Sequence, residues 1–255
     1  MGTILDQFRL DGRIAIVTGA SRGLGASFAV ALAEAGADVA LVARGDLRAT
    51  AEAVARTGRR SVSISVDVGA ADAAELIIKG TTQTLGTANI LVNNAGLIRR
   101  NSFLEFSETD WDEVMAVNLK GPFRLSQHFA RPLVAAKQPG KIINVASLLS
   151  FQGGIRVASY TAAKSALNGL TKLMANELAA QGINVNALAP GYMATDNTAA
   201  LRDDPDRNAA ILARIPAGRW GEPEDLKGAL VFLASAASNY MHGFTMTVDG
   251  GWLAR

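Results

Sequence analysis

The chain has 255 residues, a formal net charge of +2 and a hydrophobic content of 49%. That apolar share excludes a disordered chain, because burying it can offset the entropy that ordering costs. The absence of cysteine excludes disulfides, iron–sulfur clusters and thiolate chemistry. The two histidines, His128 and His242, lie far apart in sequence, so no metal site is predicted.

The charges and apolar residues are dispersed along the chain. No run of lysine and arginine indicates a nucleic-acid surface. The most apolar window, 26–43, is interrupted by Glu34 and Asp38, so no membrane span is predicted. The first residues carry no basic start followed by an apolar stretch, so we expect a cytoplasmic protein without a signal peptide.

Short β-branched runs alternate with longer segments rich in alanine and leucine. The predicted strands are Ile14–Thr18, Val39–Ala43, Val62–Asp67, Ile90–Asn93, Lys141–Ala146, Asn184–Leu188 and Thr245–Asp249. The predicted helices lie near 23–35, 46–57, 70–85, 111–135, 158–181 and 223–236. This alternation predicts an α/β fold: a Rossmann-type, doubly wound parallel sheet of about seven strands in a three-layer sandwich. No linker divides the chain, so residues 1–255 are predicted to form one domain.

A glycine-rich turn joins the first strand to the first helix. Gly19 allows a sharp turn with positive φ, and Gly23 and Gly25 let the backbone approach a pyrophosphate. The start of the helix offers unpaired N–H groups and the positive end of the helix dipole to phosphates. The residues predicted to border a dinucleotide here are Gly19, Ser21, Arg22, Gly23, Leu24 and Gly25.

The end of the second strand bears on which dinucleotide binds. An acidic residue there would bind a ribose 2′-hydroxyl, but this strand ends at Ala43 and is followed by Arg44. Arg22 adds a second cation, and guanidinium groups match a phosphate. Two cations with no opposing carboxylate favour NADP(H), while NAD(H) stays possible.

Four residues later in the chain suit hydride transfer with a tyrosine as the acid and base. Tyr160 and Lys164 lie four apart on a predicted helix, so they share one face. Ser147 follows the strand Lys141–Ala146 and can donate a hydrogen bond to the reacting oxygen. Asn118 lies in a helical pattern and could hold a water that links Lys164 to solvent.

The lysine is expected to make the tyrosine acidic. A free tyrosine has a pKa near 10, so work near neutral pH requires a shift of about three units, or about 4 kcal/mol. An ammonium about 4 Å away supplies about 4 kcal/mol at an effective dielectric constant of 20. A single well-placed Lys164 could therefore nearly suffice.

The segment 190–222 departs from the strand–helix alternation. It contains three prolines and clustered charges and follows the carboxyl end of a predicted strand, where open α/β sheets bind ligands. We interpret it as a substrate lid, with a solvated surface helix as the alternative.

Over nearly its whole length the sequence resembles the short-chain dehydrogenase/reductase family. The matching pieces are Thr18–Gly25, Asp67–Val68, Asn93–Gly96, Asn118, Ser147, Tyr160 with Lys164, and Pro190–Gly191. The resemblance supports the roles given above to the four catalytic candidates, and it implies a homotetramer. It also implies contacts of the cofactor's adenine with Asp67 and Val68, of its ribose with Asn94, Ala95 and Gly96, and of its nicotinamide and phosphates with Pro190, Gly191, Met193 and Thr195.

Further stretches resemble members of the family that act on C6 sugar acids. These are 93–100, 149–156, 189–195, 214–221 and 249–255. An arginine can bind a sugar-acid carboxylate with two hydrogen bonds, and a glutamine can bind hydroxyls. The predicted substrate residues are therefore Arg156, Gln152 and Arg99, together with Ser147. Arg100 adjoins Arg99, and one of the three arginines is expected to form only a surface salt bridge.

Three functions stay open at this point. The first is an NAD(P)-dependent oxidoreductase acting on a secondary alcohol or ketone of a C6 sugar acid. The second is a related reductase, either of a uronate-derived ketoacid with NADPH or of a 3-oxoacyl carrier substrate. The third is a dinucleotide-binding regulator without turnover. For the oligomer, we expect the helix near 158–181 and the apolar residues Trp252 and Leu253 to form symmetric contacts.

Overall fold

A seven-stranded parallel sheet runs through the computed structural model, which describes residues 2–255. The strands are β1 (Ile14–Thr18), β2 (Asp38–Ala43), β3 (Ser61–Ser65), β4 (Ile90–Asn93), β5 (Gly140–Val145), β6 (Ile183–Pro190) and β7 (Thr245–Val248). Their order across the sheet is β3-β2-β1-β4-β5-β6-β7, and every neighbouring pair is parallel. The predicted fold class is confirmed.

Helices cover both faces of the sheet. They are α1 (Gly23–Glu34), α2 (Arg48–Arg56), α3 (Ala73–Thr84), α4 (Glu108–Met115), α5 (Gly121–Ala135), α6 (Ala158–Leu178), α7 (Ala199–Arg202), α8 (Pro205–Leu212) and α9 (Lys227–Ala234). Phe28 of α1 and Leu230 of α9 lie in the core on one face, while Ile77 of α3 and Phe129 of α5 lie in the core on the other. Because both faces are covered, β2, β4, β5 and β6 are buried along their whole length.

The predicted helix over 111–135 is interrupted. A five-residue π-helical segment, Ala116–Lys120, separates α4 from α5. Single π turns inside helices are frequent at functional sites, and this one contains Asn118. Hydrophobic periodicity did not reveal it, because a five-residue segment is too short to show the rotation of about 100° that one extra residue gives to the apolar face.

The segment 190–222 leaves the sheet beyond β6 and returns to its starting point. Met193 pairs with Gly221, the Ala194 N–H donates to the Gly221 carbonyl at 2.7 Å, and the Gly221 N–H donates to Tyr192. Residues 194–220, which contain α7 and α8, therefore form a closed excursion at the carboxyl edge of the sheet. None of the helices in residues 2–255 is long and apolar enough to cross a membrane.

A buried polar network connects the centre of the sheet to α5 and α6. The Asn93 amide donates to Asn144 at 2.9 Å and to Ser126 of α5 at 3.1 Å. The Asn144 amide donates in turn to Thr171 of α6 at 2.9 Å. Each of these four side chains is at most 2% exposed, so each would be costly to leave without a partner.

Replacing the central member of this network should destabilise the protein strongly. Asn144→Ala leaves Asn93 and Thr171 each short of a buried partner, and we expect the free energy of unfolding to fall by about 2–4 kcal/mol. The exposed Asn176→Ala on α6 is the control and should change it by less than about 0.5 kcal/mol. Urea unfolding compares the two, and equal losses would contradict a stabilising role for the network.

Candidate active site

The glycine-rich turn is shaped by close contacts that admit no side chain. Gly19 adopts φ +70°, and a Cβ at Gly25 would overlap the Gly19 carbonyl oxygen. The Asn94 amide donates to the Thr18 carbonyl at 2.8 Å, and the Thr18 hydroxyl accepts the N–H groups of Asn94 and Ala95, each at 3.0 Å. The predicted turn is confirmed, and the contacts hold it against the loop after β4.

A cleft of about 670 Å³ opens at the carboxyl edge of the sheet, over this turn. Every residue predicted to contact the cofactor lines it: Gly19, Ser21, Arg22, Gly23, Leu24, Gly25, Arg44, Asp67, Val68, Asn94, Ala95, Gly96, Tyr160, Lys164, Pro190, Gly191, Met193 and Thr195. These residues come from the carboxyl ends of five strands, β1, β2, β3, β4 and β6, and from α6, and parallel pairing of the strands brings them together.

Several lining residues escaped the sequence reasoning. They are Asp46, Leu97, Ile98, Val117 and the lid residues Asp196, Asn197 and Thr198. Most lie within a few residues of a predicted contact, so extending each motif by one turn would have found them. Val117 lies in the π-helical segment, which carries no such signal.

The two cations at the nucleotide end of the cleft both have acidic partners. Arg44 lies 3.3 Å from Asp67, and Arg22 lies 3.3 Å from Asp196. The expectation that no carboxylate opposes them is therefore wrong. The acidic residues are distant in sequence, at the end of β3 and in the lid, so only folding brings them to the arginines.

Ser147, Tyr160 and Lys164 lie together in the cleft. Ser147 directly follows the β5–Ala146 segment, and its hydroxyl accepts the Leu149 N–H at 3.2 Å. The Lys164 ammonium lies 5.7 Å from the centre of the Tyr160 ring. Two more hydrogen bonds fix the turn after Ser147 to α6: Ser150 donates to the Lys164 carbonyl at 2.8 Å, and Ser165 donates to the Leu149 carbonyl at 3.0 Å.

Burial controls the pKa values of the tyrosine and the lysine. Desolvation raises the pKa of Tyr160, while hydrogen bonding from Ser147 and the positive charge of Arg100 lower it to a smaller extent. Desolvation also lowers the pKa of Lys164 to about 8. The Lys164 ammonium donates to the Val145 carbonyl at 2.6 Å. The expectation that Lys164 alone makes Tyr160 acidic is therefore wrong in this arrangement, because the ammonium is directed at β5.

Asn118 is fully buried, and both ends of its side-chain amide are engaged. Its oxygen accepts the Leu97 N–H and its nitrogen donates to the Leu97 carbonyl, both at 2.9 Å. This two-point contact fixes the loop after β4 against the π-helical segment. This contact uses one of the two amide N–H groups and one of the two oxygen lone pairs.

The candidate substrate residues differ in whether their side chains already have partners within the chain. Arg99 forms two hydrogen bonds with Glu113, at 2.8 and 2.9 Å, so it is the arginine that forms a surface salt bridge. Arg100 is instead close enough to Tyr160 for its positive charge to lower the pKa of the tyrosine, and it donates to the Asn197 carbonyl at 3.4 Å. Arg156 is exposed and adopts φ +64°, a strained conformation for a non-glycine residue.

The lid is anchored by the C-terminal residues. Trp252 is 4% exposed, packs against Tyr192 at 4.6 Å between ring centroids and lies under the Arg214 guanidinium at 4.0 Å. Its indole N–H donates to the Gln152 side chain at 3.3 Å. The expectation that Trp252 contacts a second subunit is therefore wrong, because its ring is buried by residues of its own chain.

A family model described as "Enoyl-(Acyl carrier protein) reductase" matches residues 19–253. A 2-dehydro-3-deoxy-D-gluconate 5-dehydrogenase of Dickeya dadantii (strain 3937) is 54% identical over 252 residues, covering 99% of this chain and 100% of that protein. The chain belongs to the short-chain dehydrogenase/reductase family. The resemblance found in the sequence is thus confirmed.

Two solved structures of this family are also similar. One, from Agrobacterium tumefaciens, is provisionally named a 2-deoxy-D-gluconate 3-dehydrogenase and has bound NADP; it is 56% identical with a TM-score of 0.91, covering 98% of this chain and 99% of that one. The other is a gluconate 5-dehydrogenase from Burkholderia cenocepacia in complex with NADP and tartrate. It is 40% identical with a TM-score of 0.94, covering 99% of this chain and 100% of that one.

The lowered pKa of Lys164 predicts a pH-dependent stability. The folded state holds the Lys164 proton less tightly than the unfolded chain, so the free energy of unfolding should rise as pH rises from about 8 towards 10.5. Between pH 7.5 and 9.5 this residue should contribute a rise of about 2 kcal/mol, which Lys164→Met removes. Lys172→Met, at an exposed position of α6, should keep the rise; an equal rise in both variants would contradict the assignment.

Proposed function

We propose that this chain is an oxidoreductase that transfers a hydride between a nicotinamide cofactor and a secondary alcohol or ketone of a C6 sugar acid. The observation that carries the proposal is the placement of Ser147, Tyr160 and Lys164 in one cleft with the glycine-rich turn. The substrate class rests on the Dickeya relative and on the Agrobacterium neighbour, whose names denote sugar-acid dehydrogenases. The reaction is of the 2-dehydro-3-deoxy-D-gluconate 5-dehydrogenase or 2-deoxy-D-gluconate 3-dehydrogenase type.

The cleft fits a dinucleotide. A Cβ at Gly19 would collide with Asn94 and one at Gly25 with the Gly19 carbonyl oxygen, so glycine at both positions keeps the shape of the turn. The adjacent start of α1 supplies N–H donors for phosphates. We assign adenine contacts to Asp67 and Val68, ribose contacts to Asn94–Gly96, and nicotinamide and phosphate contacts to Pro190–Thr195. When bound, the nicotinamide supplies a carbon that accepts or releases a hydride.

We favour NADP(H) over NAD(H). Arg22 and Arg44 lie at the nucleotide end of the cleft, and guanidinium groups bind phosphates with paired hydrogen bonds. Both the Agrobacterium and the Burkholderia neighbours contain NADP. The acidic partners of the two arginines reduce this preference, so use of NAD(H) stays compatible with the cleft.

Tyr160 is the proposed acid and base. Ser147 already lowers its pKa and can hold the substrate oxygen beside the tyrosine hydroxyl. Lys164 lies near enough to assist, but its ammonium must turn from the Val145 carbonyl towards the tyrosine to stabilise the charged phenolate. We assign to Asn118 the fixing of the Leu97 loop and the holding of a water that links Lys164 to solvent.

Arg100 is the best-placed receptor for a substrate carboxylate. It is exposed, its charge acts on Tyr160, and it makes only a weak contact with the lid. Arg99, in contrast, is neutralised by Glu113. Gln152 is half-buried beside Trp252 and can read a hydroxyl group. Arg156 follows in the same loop, whose backbone is joined to Asn101 by a hydrogen bond of 3.0 Å.

We further propose that residues 1–255 act as one cytoplasmic NAD(P)-binding domain in which the segment near 190–222 forms the substrate lid. The proposed assembly is a homotetramer. With Trp252 buried in its own chain, the remaining predicted contacts are the half-buried Leu253 and α6, whose Leu173 is 51% exposed.

Tyr160→Phe tests the chemistry. Without the phenolic proton, turnover should fall by at least about a thousandfold, within the range that acid–base catalysis contributes. NADPH should still bind, because phenylalanine keeps the aromatic ring of Tyr160. The fluorescence of NADPH measures this binding. Unchanged turnover would refute the mechanism, and a wild-type protein that binds NADPH without turning over any sugar acid or ketoacid would favour a regulator.

Arg100→Ala against Arg99→Ala tests the substrate class. Loss of a charge-assisted hydrogen bond should raise KM for a sugar acid about ten- to a hundredfold in Arg100→Ala and far less in Arg99→Ala. The corresponding neutral sugar alcohol should show no such difference. The substrates to compare are 2-dehydro-3-deoxy-D-gluconate, uronate-derived ketoacids and a 3-oxoacyl thioester. A preference for the thioester would favour the 3-oxoacyl-carrier reductase.

A further inference from the structure

An ion pair joins the lid to the glycine-rich turn. Arg22, the residue before α1, lies 3.3 Å from Asp196, the first residue of the lid's opening turn Asp196–Thr198. The two residues are 174 positions apart, and both line the cleft. Their side chains are 73% and 71% exposed, so the pair lies at the surface where it can exchange partners.

Asp196 is less firmly held than Asp67, another acidic residue that lines the cleft. Asp67 accepts a hydrogen bond from the Gly69 N–H at 2.9 Å besides its contact with Arg44. Within residues 2–255, Asp196 has Arg22 as its one side-chain partner. A competing anion on Arg22 would therefore leave the Asp196 carboxylate beside it without compensation.

We infer that Asp196 determines the cofactor specificity of the enzyme by competing with the 2′-phosphate of NADP(H) for Arg22. This inference rests on the proposed function. A 2′-phosphate brings about two negative charges at neutral pH, which compete with the Asp196 carboxylate for the Arg22 guanidinium, whereas the 2′-hydroxyl of NAD(H) brings none. Asp196 thus lowers the preference for NADP(H), and through its position it couples the 2′-phosphate to the lid's first turn.

Asp196→Asn tests the competition by direct binding. Titrations of cofactor fluorescence should show that this variant binds NADPH about three- to tenfold more tightly than wild type at low salt, with NADH changed by less than about twofold. Asp203→Asn is the matched control, because it removes the same charge from an exposed position of the same lid. It should change neither affinity appreciably.

Two further measurements separate competition at Arg22 from a general effect on the lid. In an Arg22→Ala background, Asp196→Asn should no longer tighten NADPH, since the shared cation is gone. Near 1 M salt the screening length falls to about 3 Å, so the ratio of NADPH affinities between Asp196→Asn and wild type should fall towards one. Asp196→Ser provides a second neutral substitution and should behave as Asp196→Asn does.

The outcomes distinguish the inference from the function on which it rests. Equal NADPH affinities for Asp196→Asn and Asp203→Asn would overturn it, as would equal tightening of NADPH and NADH or a gain that persists without Arg22. A wild-type protein that binds neither cofactor would overturn the proposed function and this inference together. A wild-type protein that binds both, without any effect of Asp196, would overturn the inference alone.

Discussion

The attachment of α6 to β5 is the contact on which the candidate active site depends. The two elements are joined at the sheet centre by Asn144 and Thr171, and nearer the cleft by Lys164 and the Val145 carbonyl. Ser147 follows β5 directly, while Tyr160 lies one turn before Lys164 on α6. The distance between the serine and the tyrosine is therefore set by the packing of a helix on a strand, which is more rigid than any loop contact.

Charge in the cleft is largely neutralised by local pairs. Arg22, Arg44 and Arg99 each have a carboxylate partner, and the partners belong to the lid, to the end of β3 and to α4. Arg100 lacks such a partner among the described residues and contacts only a backbone carbonyl. Near Tyr160, Arg100 and Lys164 are therefore cations without a carboxylate partner among the described residues, while Arg22 and Arg44 at the nucleotide end of the cleft are paired with carboxylates.

Burial has opposite consequences for the two groups that would share a proton. It makes the tyrosine harder to deprotonate and the lysine easier to deprotonate, so both tend towards their neutral forms. A catalytic arrangement must restore the lysine charge close to the phenol. The Lys164 ammonium donates to the Val145 carbonyl, and a rotation of the lysine side chain would bring it towards the Tyr160 hydroxyl.

Much of the fold could be read from the sequence. The β-branched runs predicted all seven strands, because a parallel sheet that is buried on both faces leaves a strong apolar signal. The glycines at 19 and 25 predicted the turn, because only glycine fits its close backbone contacts. The lid boundaries followed from the prolines and charges of 190–222. The interruption of the helix at Asn118 could not be predicted, since a five-residue segment contains too few apolar residues to show a change in helical period.

The sequence by itself determined most of the residues that line the cleft and the kind of chemistry they can perform, because residue types and strand-end positions are local properties. Tertiary structure alone decided which arginines are free and which way Lys164 points. Asp67, Glu113 and Asp196 reach their partners from elsewhere in the chain, and the Val145 carbonyl reaches Lys164 across a helix–strand interface. Electrostatic pairing depends on distance in space, which a linear order of residues does not contain.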